Sequence, residues 1–93
     1  MPRAATGATR TETGDDLVDA AQHALDLVGE DPHRALERAD TVLARLSRPA
    51  SRDELRAYVT AQRAAARALR NLGDTSEALS RARLAVLTAD KRG

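Results

Sequence analysis

The side chains of this sequence that could carry chemistry are two histidines, a group of aspartates and a line of arginines. His23 and His33 stand ten residues apart on different predicted helices. A zinc site using them with Glu30 or Asp31 would need an arrangement that this spacing does not specify, so surface histidines are expected and no metal site is predicted. Asp15, Asp16 and Asp19 have the carboxylates an acid–base centre would use, but negative charge at a helix start explains them without further assumption. There is no glycine-rich phosphate loop and no Ser-His-Asp arrangement. The absence of cysteine removes disulfides, thiolate metal sites and a cysteine nucleophile from this chain. No catalytic residue and no cofactor is expected.

Arg56, Arg63, Arg67 and Arg70 are different, because spacings of seven, four and three put them in one stripe on a helix. Such a stripe is either a solvated outer face or a contact for an acidic partner or phosphate. No aromatic residue is interleaved with it, which argues against stacking on single-stranded nucleic acid. Tyr58, at the apolar edge of the same helix, is expected in the core.

The elements that must position these residues are helices. The 42% hydrophobic content is nearly all Ala, Leu and Val, with no Phe, Trp or Ile and one Tyr, a composition for close helix packing rather than a sheet interior. Ninety-three residues allow one core. Stop signals and apolar spacing predict helices over 15–28, 32–46, 52–72 and 74–90, within a domain of residues 14–92 that follows a disordered tail of 1–13. Asp31-Pro32 pairs an N-cap with proline at the first helical position. Ser51 with Glu54, and Asp74 with Glu77, have the spacing of cap pairs. Gly29 and Gly73 are expected to close the first and third helices, Gly93 the last, and Lys91 and Arg92 suit the negative end of the fourth.

The chain repeats itself. A shift of 44 residues places Ala20, Ala21, Ala24, Leu25 and Gly29 on Ala64, Ala65, Ala68, Leu69 and Gly73. After one extra loop residue in the first copy, Ala35, Leu36, Arg38 and Ala39 fall on Ala78, Leu79, Arg81 and Ala82. Each unit is a helix, a tight turn and a second helix, and repetition of such a unit marks a stacked helical array. The expected fold is all-α: two stacked antiparallel helical hairpins, four helices in all.

The second unit resembles the tetratricopeptide repeat (TPR) family. Ala66 stands at its small position on the first helix, Leu69 at a usual large aromatic, Gly73-Asp74 at its turn, Glu77-Ala78-Leu79 at its "EAL" and Ala85 at its second small position. In the first unit Gly29, Ala35 and Leu36 fit, while Gln22 and Val42 replace small residues. Gln62 and Ala82 take places where aromatics are common, Asp90 takes the usual proline, and the repeat is longer than the family's period of about 34 residues. The phrases "ALDLVGEDPHRALERADTVLARL" and "AQRAAARALRNLGDTSEALSRARLAVLTA" also resemble the N-terminal repeat region of actinobacterial TPR proteins, many of which continue into a CHAT, caspase-like peptidase domain. The resemblance implies a right-handed helical repeat and a non-catalytic module binding a protein or peptide partner. It also leaves open a regulatory front end of a larger peptidase.

Charge adds a direction. Residues 1–40 carry four basic and nine acidic groups, and residues 41–93 eleven and five, so the halves are about −5 and +6. The asymmetry would draw two copies head to tail, or an acidic ligand to the second half. With no apolar N-terminal run and no window near the roughly 20 apolar residues of a membrane span, a cytoplasmic protein without membrane contact is expected. The fourth helix is expected to turn Leu79, Ala82 and Val86 inward and Leu84 and Leu87 to another side. Repeat stacks usually need about three units, so self-association through Leu84 and Leu87, or a further helix beyond this stretch, is expected. The candidate partner-binding residues are therefore Arg56, Arg63, Arg67, Arg70, Leu84 and Leu87, with nucleic-acid association through the arginines as the alternative function.

Overall fold

The computed structural model describes residues 14–46 and 48–92. They form four helices and no strand: α1 (Gly14–Leu27), α2 (Pro32–Ala44), α3 (Arg52–Asn71) and α4 (Thr75–Arg92). The expected tail over 1–13 and the stop at Gly93 lie outside the described residues, as do the side chains of Asp15, Lys91 and Arg92.

The helix starts follow local chemistry. Asp31 accepts a hydrogen bond from the Arg34 backbone N–H at 3.1 Å, ahead of Pro32 at the start of α2. Asp74 accepts one from the Glu77 N–H at 3.2 Å before α4. Ser51 accepts the Glu54 N–H at 3.1 Å, but the Glu54 carboxylate accepts from Ala50, at 2.8 Å, rather than from Ser51. The reciprocal box is thus displaced by one residue and ties down the loop instead of the cap itself.

The two turns differ more than their glycines suggest. At Gly73 the backbone is left-handed (φ +91°), its N–H reaches the Arg70 carbonyl at 3.0 Å, and the Asp74 N–H reaches back to Leu69 at 2.8 Å. These are the paired bonds of a Schellman ending, in which a residue without a Cβ avoids steric cost. The expectation that Gly29 ends α1 in the same way fails. Gly29 has no positive φ, and the Glu30 and Asp31 N–H groups instead bond the Leu27 carbonyl at 3.0 and 2.8 Å. The extra residue in this turn provides another way to close it.

α3 is the hub, packing against α1, α2 and α4, and α1 also packs on α2. α4 packs on α3 alone among the helices. The continuous core lies between the first three helices: Ala21, Ala24, Ala35, Ala39, Ala57, Ala61, Ala64, Ala65 and Ala68 have no exposed surface, and Leu17, Val28, Val42 and Leu46 fill the gaps. Tyr58 packs half-buried against this cluster. Alanine lets helix backbones approach closely, at the cost of contributing only about one methyl's worth of burial each.

α4 departs from expectation. Among its described side chains the buried ones are Ala78 and Ala85, whereas Leu79 and Val86, expected inside, are 56% and 60% exposed. Leu84 and Leu87 are also in water, at 43% and 58%. The cause is that α4 has a helix on one side only, so its apolar residues beyond the α3 contact meet nothing.

Candidate helix-binding groove

Between α3 and α4 runs an open groove of about 410 Å³. Its floor is alanine: Ala78 is buried, and Ala66 and Ala82 are half-buried. Leu79 and Thr75 from the first turns of α4 form one wall, and Arg63, Arg67 and Arg70 from the end of α3 form the other. The turn at Gly73 folds α4 back along α3 and so brings these stretches side by side. Among the described residues, Arg63, Arg67 and Arg70 have no ion-pair partner, so their charge is available to an incoming anion.

The structure thus brings three of the four stripe arginines to one apolar groove. Arg56, about two turns earlier on α3, is exposed but lies outside it. Leu84 and Leu87 do not line it either. At 3.6 residues per turn, Leu79, Ala82 and Val86 share one flank of α4, Leu84 lies on the opposite flank, and Leu87 points away from the buried face. The apolar residues that belong with the arginines are therefore Leu79 and Ala82.

A second feature is a polar cluster outside the groove, with Arg81 on the flank of α4 opposite Leu79 and Ala82. Gln62, 4% exposed, donates to the Tyr58 hydroxyl at 3.1 Å and accepts from the Arg81 guanidinium at 3.3 Å. Arg81 also pairs with Asp40 of α2 at 3.0 Å and, one turn back, with Glu77 at 3.1 Å. Partial burial works against the Arg81 charge, and the bonds to Asp40 and Glu77 outweigh it, so its pKa is raised. One side chain thereby links α2, α3 and α4, although α2 and α4 do not pack on each other. Sequence reasoning missed this cluster. The visible signals were the i,i+4 spacing of Glu77 and Arg81 and a glutamine amid the alanines of α3.

His23 and His33 are both exposed, and among the described residues no three His, Asp or Glu side chains come together in a way that could hold a metal ion. No helix among them is long and apolar enough to cross a membrane. The chain matches no protein-family model, no curated protein and no solved structure.

Proposed function

We propose that this all-helical chain is a non-catalytic, TPR-like interaction module of the cytoplasm, two stacked antiparallel hairpins whose α3–α4 groove receives a helix or peptide of a partner protein. The observation that carries the reading is the groove itself: an alanine floor allows a backbone to come close, Leu79 offers an apolar anchor, and three unpaired arginines select for acidic flanks. The internal repeat and the hub position of α3 support the stacked-hairpin arrangement.

The test is a titration of the isotopically labelled chain with a synthetic acidic amphipathic peptide whose apolar face is alanine and leucine, followed by NMR. Chemical-shift changes are expected to concentrate at Ala66, Ala78, Leu79 and Ala82 and to disappear in Arg63→Glu plus Arg67→Glu. Changes confined to α1 and α2 would reject the groove.

The unpaired arginine stripe also favours a second reading, nucleic-acid binding. Retention of a duplex or single-stranded oligonucleotide at about 0.15 M salt, lost on the same double substitution, would move the function to that class. Tyr58, the one aromatic residue, lies about 200° around α3 from Arg56 and packs against the core rather than beside the arginines, which makes this reading the weaker of the two.

A further inference from the structure

The repeat makes the chain its own template for what fits the groove. In the first unit, the flank of α2 formed by Leu36, Ala39 and Leu43 is mostly covered: Ala39 has no exposed surface, and both leucines are half-buried against the core. The counterparts in α4 are Leu79, Ala82 and Val86, and there Leu79 and Val86 stand exposed. What fills the first site is α3, packed against both α1 and α2. The second site therefore has the form of a seat for one more helix like α3.

A candidate occupant is present in every molecule. Ala64 lies about 200° around α3 from Gln62, so it faces away from the α4 contact and toward the first unit, where it is fully buried. Its counterpart in α1 is Ala20, which is exposed. The face that α3 uses to sit on the preceding unit is thus partly uncovered on α1. Charge points the same way: α1 carries four aspartates and no lysine or arginine, with Asp19 and Asp26 exposed, while the empty groove is walled by three arginines.

We infer that α1 of a second copy docks into the α3–α4 groove, continuing the repeat from one molecule to the next in a head-to-tail contact. This rests on the proposed helix-binding groove and names its occupant. The two surfaces are different, so the contact is heterologous and can propagate beyond two molecules. An acidic first helix then alternates with a basic third helix along the assembly, which favours this order over two grooves meeting face to face.

Sedimentation velocity on the full chain at rising concentration tests it. The wild type should give a growing series of sizes rather than stopping at a dimer, weakening about tenfold or more as salt rises from about 0.05 to 0.5 M. Leu79→Glu should abolish association while leaving the helical circular dichroism unchanged, because Leu79 is exposed. Two charge variants provide the decisive arm. Arg63→Glu plus Arg67→Glu removes the groove, and Asp19→Lys plus Asp26→Lys removes the docking helix, so each alone should be monomeric. Mixed, the intact α1 of one variant meets the intact groove of the other, and the reversed charges are complementary as well, so association absent from either variant alone should return.

Association that survives Leu79→Glu but is lost with Leu84→Glu plus Leu87→Glu would overturn the inference in favour of a symmetric contact through the outer face of α4. A monomer at about 100 µM whose groove still takes the synthetic peptide would overturn self-docking alone. A groove inert to both would overturn the proposed function as well.

Discussion

The two units of this molecule use matching residues in unequal surroundings. Ala39 of α2 is in the core and Leu36 and Leu43 pack against it, whereas of their counterparts in α4 Leu79 and Ala82 border an open groove and Val86 is exposed. The residue types are close to identical, so the difference in burial belongs to the neighbour and not to the helix. In a repeat protein an apolar residue has no fixed fate until the next element arrives, because each unit buries its face only against another. That makes pairs of equivalent positions the sharpest probes of the fold.

The largest expected effect separates Ala39→Leu from Ala82→Leu. Ala39 has no exposed surface, and three added carbons there must push its core neighbours apart, costing about 1 to 3 kcal/mol. At Ala82 the same atoms enter the groove, and the change should stay within about 0.5 kcal/mol. Urea midpoints measured on dilute protein would show it, and equal losses would mean that the second groove is not open. The same logic sets buried Ala78→Leu well below exposed Ala44→Leu in melting temperature.

Such pairs also show what could be read from sequence. The starts of α2, α3 and α4 were legible because Asp31-Pro32, Ser51 and Asp74 act through the first backbone N–H groups of their own helices. The arginine stripe was legible as a stripe, since spacing alone fixes a helix face. Which of its members would meet an apolar groove was not, because that depends on where the Gly73 turn returns α4. The orientation of α4 was misread for a physical reason: its apolar residues at 78, 79, 82, 84, 85, 86 and 87 encircle most of the helix, so periodicity selects no single buried side. The link from Arg81 to Asp40 was beyond reach, because it joins helices whose backbones do not approach each other.

That link gives the next comparison, Arg81→Met against its counterpart Arg38→Met. Without Arg81 the buried Gln62 carbonyl oxygen loses its donor, a loss of about 1 to 2 kcal/mol. The ion pairs with half-exposed Asp40 and Glu77 add little on their own. Arg38 is exposed, and its removal should be nearly silent. Adding Gln62→Met should recover part of the Arg81→Met loss, which a simple charge effect would not do. The Arg81 pKa is raised on folding, so the stability tied to its charge is present below the unfolded value and declines only as pH rises through the higher folded one. Titration of Arg81 should therefore leave stability unchanged across neutral pH, and a loss on going from pH 6 to 8 would have to come from another group.

The smallest effect concerns the two turn glycines, which align in sequence and differ in backbone. Gly73 sits at φ +91°, where a Cβ crowds the following carbonyl, and Gly29 does not have a positive φ. A Cβ built at either position meets no other atom within 4 Å, so packing cannot separate them and only backbone conformation can. Gly73→Ala should lower stability by about 1 kcal/mol through that local crowding. Gly29→Ala narrows the unfolded ensemble without straining the folded turn, and should be neutral or stabilising by about 0.5 kcal/mol. Thermal unfolding of the two variants at one protein concentration reads the difference in sign. If both lost stability equally, the first turn would pass through a left-handed residue after all, and the two units would close their hairpins in the same way.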